Sequence, residues 1–498
     1  MRLGELVAEL DGARVVGDSA VEVVDLAYDS RRVEAGGLFF SVPGEKVDGH
    51  AFAESAVEAG AVALVVEKEL ELDVAQVVVP DARVAMAPVA ARFFGDPSEE
   101  LRVVGVTGTN GKTTTAFLVR EILEAAGIQT GLLGTVRQVV GGAEEGVERT
   151  TPEAIDLQAT FRRMLDAGDR ACAMEVSSHA LALHRCDAIR FEVALFTNLT
   201  QDHLDFHGTM EEYFAAKRLL FETGPGTAVV NVDDPYGRRL AEDFECVSFS
   251  VAGAPDADLV AHNVSFDAAG SDFTATPGPM GRKPLHMSGN RPIGGEVGVR
   301  TGLPGEFNVS NALGAFAAAV AMGVAPETAA EGLARAERVP GRFEPIDEGQ
   351  GFAVLVDYAH TPDSLANVLA AARALGEGRL IAVFGAGGDR DRDKRPKMGR
   401  AAADAADLLY VTSDNPRSED PEAILAEVRS GIDRDVGVAA IVDRREAISR
   451  ALAEARPGDV VVIAGKGHEQ GQEFEDGRKI PFDDREVARA ELRRLVAA

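Results

Sequence analysis

Short apolar runs alternate with stretches of helical period over most of the chain, which predicts an α/β protein with parallel sheets. Residues 1–98 combine the strand-like runs VEVVDLAYDS, GLFFSV, AVALVVE and AQVVVP with one or two helices. They close on FFGDPSEE, whose Gly, Pro and Ser punctuation predicts a domain linker. Residues 99–339 open with the buried-strand run LRVVGV, a turn rich in Gly and Thr, and the helix TTTAFLVREILEAAG, with Gly127 as its expected C-cap. Further strands are expected at ACAMEV, VALFTNLT and TAVVNVD. From about 246 to 307 short β-rich pieces with Gly and Pro predict an antiparallel appendage, and the helix NVSNALGAFAAAVAMG closes the region. The pattern restarts at VPGRFEP. Residues 340–498 alternate GFAVLVDYAH, SLANVLAAARAL, RLIAVFGAGGD, DLLYVTSD and VVVIAGKGHE, which predicts a doubly wound, Rossmann-like unit.

Size supports this division, since 498 residues at about 150 per domain suggest three domains. Lys and Arg total 51 and Asp and Glu total 81, a formal net charge of −30. So acidic a chain repels a phosphate backbone, which argues against nucleic acid as a partner. Any anionic ligand must therefore be held by local clusters of Arg, Lys and backbone N–H groups. Cys172, Cys186 and Cys246 are too widely spaced for a disulfide framework or a metal knuckle. The opening MRLGELVAELDG lacks the basic and apolar regions of a signal peptide. No apolar run reaches the ~18 residues of a membrane span, so a cytoplasmic protein without membrane insertion is expected.

Residues 105–114 read GVTGTNGKTT between a strand and a helix. Glycines 108 and 111 let backbone N–H groups turn inward around phosphate oxygens, at a helix N-terminus whose dipole favours anions. Lys112 can bridge the β- and γ-phosphates, and the Thr113 hydroxyl is placed to ligate Mg²⁺. The candidate nucleotide loop is thus Gly108, Thr109, Asn110, Gly111, Lys112, Thr113 and Thr114. Its spacing departs from the strict phosphate-loop pattern, with Val106 where the first Gly would stand. An ordinary Gly-rich turn is the competing interpretation, and GKTT on this frame favours ATP.

Glu175 ends the run ACAMEV, where a strand delivers a side chain to the sheet's carboxyl edge. A carboxylate there can hold Mg²⁺, or it can be a capping acid. His203 also follows a strand end, although lone histidines are more often structural. Lys217 sits in an amphipathic helix, where a solvated lysine lying over the apolar face is the ordinary expectation. Asp202, Asp205 and His207 stand beside them with no role assigned.

Taken in order, GTNGKTT, MEVSSHAL, TNLTQDHLDFHG, AAKRLLF, GEFNVSN, GRFE, DYAHTPD and GKGHE resemble the Mur ligases, ATP-dependent amide-forming enzymes that build the peptide stem of peptidoglycan. The resemblance covers essentially the whole length. The segments DSR, GEKVDGH, TTPE at 150–153 and DNPR at 414–417 are similar to the branch of the family that adds meso-diaminopimelate. The resemblance implies an N-terminal UDP-sugar-binding domain (1–98), a central ATP-binding domain (99–339) and a C-terminal amino-acid-binding domain (340–498). Carried onto this chain, it implies Lys112, Glu175, His203 and Lys217 as catalytic residues. Thr113 and Glu175 would bind one Mg²⁺; His203 and Lys217, the latter carrying a CO₂-derived carbamate, would bind a second. A carbamate turns an ammonium into an oxygen ligand suited to Mg²⁺.

By the same resemblance Asn308 and Asn311 would contact adenine, and Arg342 and Asp357 would reach the triphosphate and ribose. Tyr28, Ser30, Glu45, Lys46 and Val47 match uridine and diphosphate positions. Thr150, Thr151, Ser177 and Arg185 would hold the muramoyl-dipeptide, with the planar fork of Arg185 suited to the D-Glu α-carboxylate. Asp414, Asn415, Pro416 and Arg417, with Arg390, Gly465 and Glu469, would form the diaminopimelate pocket. Arg417 would clamp the distal carboxylate that lysine lacks, and Asp414 and Asn415 would suit the distal ammonium.

The implied substrates are ATP, meso-diaminopimelate and UDP-N-acetylmuramoyl-L-alanyl-D-glutamate, joined through an acyl phosphate by a monomer. Closure of the C-terminal domain over the ATPase is expected, with VPGRFEP as its hinge. Competing activities are a lysine-adding relative, a folate-glutamate ligase, a plain phosphate-loop kinase or ATPase, and a non-catalytic nucleotide-binding protein.

Overall fold

The computed structural model describes residues 1–44, 47–147, 149–278 and 295–497. By its internal contacts the chain divides into two compact units. One comprises Met1–Thr107, Gly127–Ala194 and Ala216–Gly226, the other Gly108–Ala126, Leu195–Ala215 and Thr227–Ala498.

The first unit begins with a five-stranded sheet in the order Arg14–Val16, Ala75–Val78, Ala63–Val66, Gly37–Phe40, Asp25–Ala27. Only the Arg14–Val16 strand runs antiparallel to its neighbour. The runs GLFF and ALVV are buried at every position, because both faces of a parallel sheet are covered. Arg14–Val16, only three residues long, has no counterpart among the expected strands. The expected linker is packed rather than loose. Asp96 turns the chain at φ +50°, Pro97 and Ser98 are buried, and Ser98 Oγ accepts the Arg190 N–H at 3.1 Å. In the same unit Ala171–Glu175 lies parallel between Arg102–Thr107 and Thr130–Leu133, and its register brings Glu175 level with Val106 at the carboxyl edge.

In the second unit, the helix Lys112–Ala125 buries Phe117, Leu118, Val119, Ile122 and Leu123, and Gly127 follows at φ +76° as the left-handed terminus. The Ala-rich helix Glu306–Ala321 is buried nearly all round, and it packs against Lys112–Ala125 together with Pro326–Arg335. The region 246–307 corrects the expected antiparallel appendage in part. Cys246–Ser250 pairs parallel with Thr227–Asn231 and with Leu259–Asp267, and antiparallel pairing starts only at Gly270–Pro277 and continues to Val297–Thr301. The turn before Gly270–Pro277 is short enough for a hairpin, whereas a helix, Pro235–Asp243, precedes Cys246–Ser250 and makes a parallel crossover possible.

The rest of this unit carries a six-stranded sheet in the order Glu344–Pro345, Ala353–Asp357, Val460–Ala464, Leu380–Phe384, Leu408–Thr412, Gly437–Ile441. All but the first are parallel. Asp357 is in register with Ala464, Val383 with Ile463 and Phe384 with Val411. Four strands therefore end together, which brings Asp357, Gly385–Arg390, Ser413–Arg417 and Gly465–Glu469 to one carboxyl edge.

Candidate active site

The phosphate loop is shaped by two glycines that no other residue can replace. Gly108 (φ +150°) lies against Thr197 Oγ1 and Gly111 (φ +87°) against Asn311 Oδ1, so closely that an added Cβ would collide with either. Between them Asn110 is tied down on all sides. Its N–H donates to Asn198 Oδ1 (2.9 Å), its carbonyl accepts from Thr197 Oγ1 (2.6 Å), and its Nδ2 donates to Asp363 Oδ2 (3.0 Å). Thr109 Oγ1 bonds Thr200 and the Tyr213 hydroxyl. Lys112 Nζ folds back onto the carbonyls of Gly108 (3.0 Å) and Thr109 (2.8 Å), across the concavity that phosphate would fill. Thr114 is buried behind the loop.

Asn308 and Asn311 lie in the first two turns of their helix and bond each other at 3.3 Å. Arg342 donates to Thr113 Oγ1 at 3.0 Å and lies over the Tyr358 ring at 4.4 Å. Among the described residues its buried Nε has no hydrogen-bond partner, a donor that an anionic ligand can satisfy. Asp357 accepts the N–H groups of Phe343 and Ala359, and burial pushes its carboxyl up despite Arg342. The expected hinge is ordered by contacts of its own: Gly341 donates to Glu344 at 2.8 Å, and Phe343 is buried.

In the first unit Thr150, Thr151, Glu175, Ser177 and Arg185 meet. Glu175 is 1% exposed; its carboxylate takes the Thr135 N–H at 2.6 Å and the Thr135 hydroxyl at 3.1 Å. Thr135 Oγ1 also bonds Thr150 Oγ1, and Thr151 Oγ1 bridges the Glu175 carbonyl and Ser177. The Arg185 fork donates to the Thr151 carbonyl and pairs with Glu153 at 2.9 Å. Glu153 is shared with Arg83 and Arg149, so three guanidinium groups surround one carboxylate and leave the cluster cationic. Arg185 Nε is buried without a hydrogen-bond partner among the described residues. Separately, Tyr28 lines a cleft of about 350 Å³ with Asp25, Arg32 and Asp156, its hydroxyl on Asp156 at 2.6 Å. Ser30 opens the adjoining 3₁₀ turn, and Val47 is exposed. Glu45 and Lys46 lie outside the described residues.

His203 adopts φ +55° and touches Asp202 at 3.3 Å. Asp202 also faces Lys394 (3.4 Å) and His360 (3.7 Å); burial pushes its carboxyl up, yet His360, Lys394 and His203 hold it well below the usual range. His207 stacks on Tyr213 at 4.9 Å. Lys217 is 1% exposed, so it is no solvated lysine. Among the described residues, no group of three or more His, Cys, Asp and Glu is placed to hold a metal.

Asp414, Asn415, Pro416, Arg417, Gly465 and Glu469 do converge. Asn415 Nδ2 donates to Glu469 Oε2 (3.0 Å), Arg417 pairs with Glu473 (3.1 Å) and donates to the Gly388 carbonyl (2.6 Å), and Gly465 (φ +121°) lies against Asp414 Oδ2. Burial pushes the Asp414 carboxyl up, while Lys466, Arg444, His360 and Arg417 together hold it below its usual range. Arg390 is exposed at the rim. Three contributors escaped sequence reasoning. Thr135 carries no motif signal beyond a strand end, whereas Tyr358 stands inside DYAHTPD and Lys466 inside GKGHE, where the motif itself was the signal. Tyr358 links the two sides of the second unit, with Arg342 over its ring and its hydroxyl 3.4 Å from Glu469.

A glycine-shaped turn at a helix N-terminus, a buried strand-end carboxylate and a charged cluster at a sheet's carboxyl edge suit an ATP-dependent ligase. Profiles for the Mur ligase family catalytic domain match residues 22–96, for the Mur ligase middle domain 106–319, and for the Mur ligase glutamate ligase domain 341–467. The chain belongs to the Mur ligase family. It is 47% identical, over 99% of its length and 98% of the relative's, to a UDP-N-acetylmuramoyl-L-alanyl-D-glutamate–2,6-diaminopimelate ligase of Solibacter usitatus. A protein of the same name from Geobacillus kaustophilus is 46% identical over 99% of both chains. A solved structure of a ligase so named superimposes with a TM-score of 0.69 at 33% identity, covering 100% of this chain and 99% of that one.

Proposed function

We propose that the chain joins meso-diaminopimelate to the D-Glu γ-carboxylate of UDP-N-acetylmuramoyl-L-alanyl-D-glutamate at the expense of ATP. The convergence of Asp414, Asn415, Arg417 and Glu469 at the end of a parallel sheet carries the reading, because it provides both signs of charge for a doubly charged end group. The division of labour follows the segments 1–98 for the UDP-sugar, 99–339 for ATP and the dipeptide, and 340–498 for the amino acid.

A carboxylate does not react with an amine at neutral pH, so it is first phosphorylated. The γ-carboxylate of D-Glu attacks the γ-phosphoryl group, the bond to the bridging oxygen breaks, and ADP leaves an acyl phosphate. The amine of diaminopimelate then attacks the acyl carbon through a tetrahedral intermediate, and phosphate departs. Lys112 follows the charge on the β- and γ-phosphates, and the N–H groups of the loop bind phosphate oxygens. Arg342 turns its unpartnered Nε to the triphosphate, while Asn308 and Asn311 hold adenine and Asp357 the ribose. Arg185 and Ser177, with Thr150 and Thr151, orient the dipeptide; Tyr28, Ser30 and Val47 hold its UDP end. The chain thus supplies positioning rather than covalent chemistry.

Thr113 and Glu175 would hold one Mg²⁺, and His203 and a carbamylated Lys217 a second. The fit rests on donor chemistry: Glu175 uses one hydrogen bond per oxygen and keeps lone pairs for a hard cation, and a buried Lys217 gains from conversion to an oxygen ligand. Bound Mg²⁺ offsets the charge of the approaching anions. Intact-mass and peptide analysis under CO₂ should find one carbamate on Lys217. Lys217→Ala should lose most activity and regain part of it with short carboxylic acids. An unmodified lysine in the metal-loaded protein overturns that assignment.

The enzyme works as a cytoplasmic monomer. Incubation with ATP, Mg²⁺ and the UDP-dipeptide, adding one amino acid at a time, tests the activity. ADP release that depends on diaminopimelate, with the matching product mass, is expected. ADP release without an acceptor would instead mark a plain ATPase.

A further inference from the structure

The acceptor pocket contains a buried cation that the reaction scheme leaves without a task. Lys466 is 0% exposed, and its ammonium donates to Asn415 Oδ1 and to Glu469 Oε2, both at 2.8 Å, with Asp414 Oδ1 at 3.6 Å. Asn415 Oδ1 also accepts the Glu473 N–H at 3.0 Å, while its Nδ2 donates to Glu469 at 3.0 Å. The two ends of an asparagine amide have the same shape, so only their partners decide which end points where. Here two donors meet the oxygen and one acceptor meets the nitrogen. The reversed amide would set NH₂ against two donors and oxygen against a carboxylate.

The cation also matters by its charge. Arg417 is matched by Glu473, and the fully buried Arg444 by Asp484 at 2.6 Å, which leaves Lys466 as the counter-ion of the Asp414 and Glu469 carboxylates. Removing it adds one unit of negative charge to the pocket, which favours an end group bearing only an ammonium over one that also bears a carboxylate.

We propose that Lys466 is a positioning and specificity residue: by fixing the Asn415 amide and offsetting the pocket carboxylates, it tunes the site to an amino acid whose far end is both ammonium and carboxylate. The proposal rests on the acceptor reading above. Sequence alone gives Lys466 no such task, since its partner Asn415 lies 51 positions away.

Steady-state kinetics of Lys466→Met with diaminopimelate and with lysine test it. For diaminopimelate kcat/KM should fall roughly 10- to 100-fold, the range expected for a lost charged hydrogen bond, and mainly through KM. Lysine should lose much less, and the KM values for ATP and the UDP-dipeptide should stay within about twofold. In an Asn415→Ala background the same substitution should lose most of its effect on diaminopimelate KM. Lys466→Gln, which keeps a donor but not the charge, should recover part of that KM while leaving discrimination weakened. Equal losses for both amino acids, a parallel rise in ATP KM, additivity with Asn415→Ala, or failure of both variants to fold would each overturn the proposal. Wild-type protein that ignores diaminopimelate would instead remove the acceptor reading itself.

Discussion

The proposed phosphate loop is made of backbone and the proposed acceptor pocket of side chains. In the loop, Gly108 and Gly111 bring main-chain groups against Thr197 and Asn311, and one lysine supplies the charge. In the pocket, Asp414, Asn415, Arg417, Lys466, Glu469 and Glu473 hold one another by ion pairs and hydrogen bonds, over the buried pair Arg444–Asp484. A triphosphate is the same in every reaction, so backbone and a few fixed residues suffice to hold it. An amino acid must be told from its analogues, which takes charges of both signs placed on side chains. Damage to the loop should therefore be blind to the acceptor, and damage to the pocket should not.

Lys112→Ala is the largest expected effect. Loss of the fixed cation should lower kcat/KM roughly 1,000-fold, equally for diaminopimelate and lysine, as measured by ADP release. Arg417→Ala comes next. Leaving a carboxylate unpaired on binding costs on the order of 2–5 kcal/mol, or roughly 30-fold to several thousandfold in kcat/KM for diaminopimelate, and much less for lysine. An equal loss for both amino acids would remove Arg417 as the selector. Gly465→Ala sharpens the comparison at one atom. Its φ of +121° and a Cβ 2.5 Å from Asp414 Oδ2 should cost about 1–3 kcal/mol, read as a roughly 5- to 150-fold rise in the KM for diaminopimelate with ATP KM unchanged.

The smallest effect concerns stability. The Arg395 guanidinium beside Glu419 holds that carboxyl down to about 2 from 4.5, despite some burial. A depressed carboxyl stabilises the fold above its unfolded value, and that contribution is lost as pH falls from about 4.5 towards 2. The Glu419 side chain is 21% exposed, so solvent still screens the pair and limits the contribution to about 1 kcal/mol. Glu419→Gln should melt slightly lower than wild type at pH 7, and the difference should shrink between pH 5 and pH 3.

Legibility in the sequence follows the same line. The strands GLFF, ALVV and VVVIA are buried throughout, RVVGVT is buried after Arg102, and all stand out as apolar runs, as does the helix after GKTT. Arg14–Val16 was too short to register, and the parallel pairing of Cys246–Ser250 depends on a crossover that local composition does not encode. The loop was readable because its residues are contiguous. The support for Glu175 from Thr135, and for Asn415 from Lys466 and Glu473, joins residues 40 to 58 positions apart, which no local motif reports. For Lys217 the resemblance already spoke against a solvated lysine, and its burial does so independently.

The most direct test of the central claim, that pocket side chains choose the acceptor, is a competition. Wild-type protein and Arg417→Ala are each given ATP, Mg²⁺, the UDP-dipeptide and equal concentrations of diaminopimelate and lysine, and the products are weighed by mass spectrometry. The wild type should yield the diaminopimelate adduct almost alone, and the variant should yield far less of it relative to the lysine adduct. An unchanged product ratio in the variant would contradict the account.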